Sequence, residues 1–199
     1  MVKIALQIRA QFENVDKLYT NHPDYQWFLK LKCLSCGEES QKFHDLTESE
    51  KLPLAHMRSE TNLAIKCKLC GRENMIDVVD QSNGNLFINI DILFKTLMIR
   101  QCCVFFCKKN FSKFSKYKHI SLFPTRGDDT DFKTIVVFDC RGIEPIDFEP
   151  RSGWIAESAN NGTKFQDVDL TSKEWEEYDE KNNVCVSIYE LEWRFVKVK

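Results

Sequence analysis

Near the start of the chain apolar residues recur at every second position: Ile4, Leu6, Ile8 and Ala10 fall on one face of an extended strand, with Lys3, Gln7 and Arg9 on the other. The alternation predicts a half-buried β-strand. Trp27-Phe-Leu-Lys-Leu-Lys-Cys33 reads as a second strand and delivers Cys33 at its end. Thr61-Asn-Leu-Ala-Ile-Lys-Cys67 does the same for Cys67, and Met75-Ile-Asp-Val-Val79 supplies a return strand. Each cysteine pair therefore sits at a strand-turn-strand corner. Residues 40–60 are polar and contain Pro53, which predicts a long loop with a helical turn at Thr47–Lys51. Strand character resumes in Thr134-Ile-Val-Val-Phe138, Val184-Cys-Val-Ser-Ile-Tyr189 and Trp193-Arg-Phe-Val-Lys-Val198. Ser172, three residues before Trp175, opens a predicted short helix that carries Trp175 and Tyr178, with Glu174, Glu176 and Glu177 in its first turns. The expected fold class is all-β with short helical turns.

A chain of 199 residues holds one medium domain or two small ones. Three stretches divide it: a β domain over residues 1–84 that holds both Cys-x-x-Cys pairs, an insertion or linker over 85–131, and a second β domain without such a pair over 132–199. Residues 27–38 lie well over 134–145, with Cys140 near Cys33 and no cysteine opposite Cys36. A metal-free internal copy accounts for that echo, and so does chance between β-rich strands that end in cysteine.

Residues 85–124 differ from their surroundings. Leu86–Cys107 is densely apolar, and Lys108–Lys118 alternates lysine with Phe, Ser and Tyr. A membrane helix would have to bury Asp91, Lys95 and Arg100, and a charge near mid-span costs roughly 2.5–3.5 kcal/mol. Cys102, Cys103 and Cys107 lack the second Cys-x-x-Cys or spaced histidine of a metal site. The stretch reads as an insertion or as translated non-coding sequence, and as an aggregation liability if exposed.

Charge narrows the classes of partner. The net charge of −2 divides into −1 over residues 1–84, +4 over 85–131 and −5 over 132–199. Polyanion binding needs a basic face on the folded domain, so nucleic acid is not expected. The nine cysteines are an odd number, and MVKIALQIRA does not open as a secretory leader. The expectation is an intracellular, cytoplasmic protein, with the nucleus also open to it, whose Cys-x-x-Cys units are metal ligands or redox thiols rather than disulfides.

Cys33-Leu-Ser-Cys36-Gly37 and Cys67-Lys-Leu-Cys70-Gly71 are separated by the thirty residues between Cys36 and Cys67. Two residues between thiolates let both sulfurs reach one cation, and a following glycine suits a turn with positive φ. Two such zinc knuckles supply four thiolates, which favour tetrahedral Zn²⁺ at Zn–S distances of about 2.3 Å. The candidate metal ligands are Cys33, Cys36, Cys67 and Cys70, binding one zinc per chain. A redox dithiol needs a low-pKa cysteine at a helix N-terminus, whereas these pairs follow strands. Four cysteines also close the coordination shell, leaving no position for catalytic water. His44 and His56 lie in the intervening loop and read as solvated surface, while Cys140 and Cys185 read as small buried residues in strands. No phosphate loop, nucleophile elbow or Ser/His/Asp arrangement appears, so no enzyme is indicated.

Lys3-Ile-Ala-Leu, the segments around both cysteine pairs, Lys66–Asn74, Phe132-Lys-Thr-Ile-Val, Phe138–Pro145 and Trp175–Lys181 together resemble the eukaryotic CXXC-motif-containing zinc-binding proteins. The resemblance covers nearly all of residues 1–84 and 125–199, and residues 85–124 have no counterpart in it. It implies an all-β protein of two related domains with zinc in the first only, and no established reaction.

The leading functional expectation is a monomeric, non-enzymatic protein with a structural zinc site that acts by binding another protein, without nucleic acid or membrane. Glu144-Pro-Ile-Asp-Phe-Glu-Pro150 with Trp154 reads either as an acidic rim around an aromatic anchor or as a loop with Trp154 in the core. The alternative function is metal handling, in which the thiolates exchange zinc or Cu(I).

Overall fold

In the computed structural model, which describes residues 1–53, 60–79, 132–159 and 162–198, the first predicted strand lies inside an antiparallel six-stranded sheet. The strands are β1 (Val2–Glu13), β2 (Val15–Thr20), β3 (Trp27–Cys33), β4 (His44–Leu46), β5 (Leu52–Pro53), β6 (Glu60–Thr61), β7 (Leu63–Lys66), β8 (Glu73–Val78), β9 (Lys133–Arg141), β10 (Ile143–Glu149), β11 (Trp154–Ser158), β12 (Lys164–Val168), β13 (Trp175–Asp179) and β14 (Val184–Val198). The large sheet has the order β13-β14-β1-β9-β8-β7. Two three-stranded sheets, β10-β3-β4 and β12-β11-β2, and the small β5-β6 pair complete the architecture. β1 is flanked on one side by β9 and on the other by β14, so residues 1–84 and 132–199 contribute to the same sheet.

Two corners carry the chain from one sheet to another. Asn14, at φ 57°, ends β1 and starts β2 in a different sheet, and its side-chain Nδ2 donates to the Cys185 carbonyl at 2.7 Å. Asparagine tolerates this left-handed conformation because its short amide bonds nearby backbone. Gly142, at φ 76°, separates β9 in the large sheet from β10, which pairs with β3.

The core gathers around Trp27, which meets Tyr25 at a ring-centroid distance of 4.7 Å, Phe148 at 5.9 Å, Phe138 at 6.2 Å and Trp154 at 6.4 Å. Most of these contacts are edge-to-face, the geometry that ring quadrupoles favour. Trp154 is only 1% exposed, so the reading of it as a surface anchor is corrected: it is a core residue, and most of its acidic neighbourhood is strand β10.

No helix occurs among the described residues. The helix expected at Ser172–Tyr178 is instead β13, whose ladder with β14 runs from Trp175↔Ile188 to Asp179↔Val184. The capping signal at Ser172 is overridden by this ladder and by Trp175 packing on Phe165 at 5.5 Å. At Thr47–Lys51 the Asn62 side-chain amide lies within hydrogen-bond distance of the Thr47, Glu48 and Glu50 carbonyls. Those carbonyls are thereby drawn to a side chain instead of a helical ladder. The two strands predicted at the end of the chain are one, β14. A register shift separates its two halves: Arg9 faces Glu192 but Gln11 faces Tyr189, which inserts an extra residue at Glu190, itself at φ 52°. The expectations for residues 85–124, including Cys102, Cys103 and Cys107, fall outside the described residues.

Trp27→Ala is expected to lower unfolding stability by about 3–5 kcal/mol, read by denaturant titration. A second test concerns Glu157, which accepts hydrogen bonds from Lys17 at 2.8 Å and the Tyr19 hydroxyl at 2.9 Å, with Lys164 at 3.2 Å. Lys17 most strongly, with help from Tyr19 and Lys164, holds the Glu157 carboxyl down from 4.5 to about 2. A depressed carboxylate stabilises the fold above its ordinary pKa, and this contribution disappears as pH falls through the folded value. The stability gap between the protein and Glu157→Gln should therefore be full above pH 4.5 and close towards pH 2 in denaturant melts.

Candidate metal centre

Both cysteine turns fold the same way. Gly37 N–H donates to the Cys33 carbonyl at 2.9 Å and Cys33 N–H to the Glu38 carbonyl at 2.8 Å. In the second turn Gly71 N–H donates to Cys67 at 3.0 Å and Cys67 N–H to Arg72 at 2.9 Å. Gly37 and Gly71 take φ values of 79° and 70°, which a residue with a Cβ reaches only at a cost. The strands before each turn set its direction: β3 brings Cys33 from a three-stranded sheet, and β7 leads into Cys67 from the edge of the large sheet.

The four sulfurs converge, all within 4.8 Å of one another. Cys33 Sγ lies 3.8 Å from Cys70 Sγ, and Cys36 Sγ 3.5 Å from Cys67 Sγ. A regular tetrahedron with Zn–S bonds of about 2.3 Å has edges of about 3.8 Å. The donor set thus fits a tetrahedral thiophilic cation in both chemistry and spacing. Cys33 and Cys67 are buried, Cys36 and Cys70 exposed. The backbone N–H groups of Cys36 and then Ser35 hold the Cys33 thiol down at about 6, against the opposing effect of burial. At Cys67 the Cys70 amide favours the thiolate, but the Glu38 carboxylate, burial and Cys36 outweigh it and push the thiol up to about 12. A metal entering here displaces thiol protons as it binds.

Three further residues hold the turns together, and the sequence reading did not assign them roles. Glu38 Oε2 accepts from the Cys67 thiol at 2.8 Å and from the Leu69 N–H at 2.9 Å, tying the first turn to the second. Arg72 returns the link by donating to Ser35 Oγ at 2.6 Å. Asn74, 1% exposed, directs its Nδ2 at the Arg72 carbonyl, 3.3 Å away, and at Cys33 Sγ, 3.7 Å away. Its Oδ1 faces Gly142, where an added Cβ would come within 2.4 Å. The Gly142 carbonyl accepts from Leu34 N–H at 2.9 Å, so the β9–β10 corner is part of the wall of the site. The sequence carries little trace of these roles: Asn74 alternates with Glu73 and Met75 in an ordinary strand, and Gly142 lies outside the cysteine motifs.

His44 does not join the sulfur cluster, and His56 lies outside the described residues. Cys140 is buried in β9, as expected, but Cys185 is exposed in β14, because the outer face of that strand points to solvent.

Residues 5–196 match the family described as CXXC motif containing zinc binding protein, eukaryotic. The chain is 45% identical over 201 residues to UPF0587 protein CG4646 of Drosophila melanogaster, covering 100% of this chain and 99% of that one. It is 35% identical over 198 residues to the human CXXC motif containing zinc binding protein, with 99% of both covered. A solved structure entitled Crystal Structure of C1orf123 superposes with a TM-score of 0.74 at 34% identity, over 98% of this chain and 99% of that one.

Asn74→Leu removes the amide donors behind Cys33 while keeping similar bulk. It should weaken zinc binding by about 10–100-fold, the usual cost of losing a group that orients a ligand, in competition against a chromophoric chelator. Gly142→Ala, strained by its φ and by Asn74, should lower stability by more than about 1 kcal/mol in denaturant unfolding of the zinc-loaded protein.

Proposed function

The chain belongs to the eukaryotic CXXC motif containing zinc binding protein family, and on that premise we propose that Cys33, Cys36, Cys67 and Cys70 bind one structural zinc ion in a non-enzymatic protein-interaction module. The observation that carries this reading is the convergence of four sulfurs from two different sheets into a closed tetrahedral donor set. A closed shell favours cross-linking over water activation. The zinc holds the first cysteine turn on β3 against the second on β7 and β8. The interaction role is supported by the turn tips, where Leu34 is 51% and Leu69 71% exposed. Exposed apolar side chains on both cysteine turns suit protein contact.

A second reading, exchange of zinc or Cu(I), is favoured by one feature: Cys36 and Cys70 are exposed, which opens half the donor set to an incoming thiolate. Metal analysis combined with circular dichroism during chelation separates the two. The structural reading expects one zinc per chain, released only with loss of β signal. Rapid release to a mild chelator with the fold intact would overturn it in favour of exchange.

A further inference from the structure

Beside the cysteine turns lies a half-open groove of about 400 Å³ whose floor is Leu31, Ile65 and Ile143. Cys33 and Cys67 close one side, and Lys42, Lys66 and Lys68 stand on its rim. The volume falls within the range of about 300–1,000 Å³ typical of ligand sites, and the mixture of apolar floor and few charged groups is the usual composition. One wall is β7, the terminal strand of the six-stranded sheet. It pairs with β8, and among the described residues no strand pairs its other edge. An open edge is a template for another extended chain.

The charges on the rim choose among such chains. Of the two acidic rim residues, Glu39 is paired with Lys32 at 3.1 Å and Glu38 is turned inward to Cys67 and Leu69. Lys42, Lys66 and Lys68 make no ion pair among the described residues. Along β7, Leu63 and Ile65 are half-buried while Ala64 and Lys66 are exposed, so an added strand would meet the apolar Ile65 followed by the basic Lys66, with Lys68 two residues further on in the cysteine turn.

We propose that this groove docks an extended acidic segment of a partner protein. The segment adds as a strand to the outer edge of β7, seats one aliphatic side chain over Ile65 and Ile143, and sets one Asp or Glu beside it against Lys66 and another two residues further on against Lys68. This assignment rests on the protein-interaction reading above and specifies its partner. Backbone pairing supplies affinity, and the alternation of apolar and acidic side chains supplies selectivity.

The test uses the full chain loaded with zinc and fluorescence anisotropy of three labelled peptides: one alternating glutamate and valine, one alternating lysine and valine, and one alternating glutamate and serine. The glutamate–valine peptide should bind at least about tenfold more tightly than either control and weaken as salt is raised. In the double variant Lys66→Glu/Lys68→Glu the preference should invert towards the lysine–valine peptide, with zinc content unchanged. Equal binding of all three peptides, or no effect of the double variant, overturns the groove assignment. So does loss of zinc from the double variant without inversion, which would make the lysines counter-charges of the thiolates. Concentration-dependent self-association abolished by the double variant and unaffected by the peptide would assign the edge to a second copy of the chain instead. A partner protein whose binding survives Lys66→Glu/Lys68→Glu removes the groove assignment but leaves the interaction reading standing. Absence of any binding partner removes both.

Discussion

Four sulfurs borne on two sheets must reach one point, and the arrangement of the described residues follows from that requirement. β3 belongs to the sheet β10-β3-β4, whereas β7 and β8 end the six-stranded sheet. A tetrahedral thiolate site tolerates little error in sulfur position, so these sheet ends have to be held in register. The hydrogen bonds from Leu69 to Glu38 and from Arg72 to Ser35 supply that register from the chain itself. The geometry of the four sulfurs is therefore supported by hydrogen bonds between the two turns.

The corner at Gly142 has a double part in this. It is the point at which the backbone passes from the large sheet to the small one, since β9 pairs with β8 and β10 pairs with β3. The same two neighbours carry the two cysteine turns. The covalent crossing and the sulfur cluster thus lie at the same pair of sheets, and Asn74 packs against both Gly142 and Cys33. Residues 132–199, which carry none of the candidate metal ligands, thus contribute part of the wall of the metal centre.

Further from the site, Trp27 joins the stretches through packing alone. It lies on β3, at the opposite end from Cys33, and touches Phe138, Phe148 and Trp154 from β9, β10 and β11. Close packing of large rings at this position, together with the β3–β10 ladder, sets how β3 sits on residues 132–199. β3 therefore has an aromatic cluster at one end and a candidate metal ligand at the other, and Leu29 and Leu31 between them are buried.

Much of this was legible in the linear chain because the signals are local. Alternation at Ile4–Ile8 and Trp27–Cys33 reports a strand through the two-residue pleat, and Cys-x-x-Cys-Gly reports a turn whose two sulfurs share a direction. Those features identified the all-β class, and they brought forward four cysteines that the fold does gather together. The ends of the chain were less legible. Ser172–Tyr178 carries the local marks of a helix start, yet β14 offers Trp175–Asp179 a complete ladder of backbone partners, and that non-local gain prevails. Trp154 could belong to a surface or to a core until Tyr25 and Trp27 closed over it. The roles of Asn74, Glu38 and Gly142 depend on contacts with residues far away along the chain, among them Glu38–Cys67, Asn74–Cys33 and Gly142–Leu34. No periodicity along the chain encodes such contacts. The sequence alone determined which segments extend and which side chains carry thiolate chemistry; only the tertiary structure decided what surrounds those thiolates, because hydrogen bonding and close packing act between groups that the fold, and not the chain, makes neighbours.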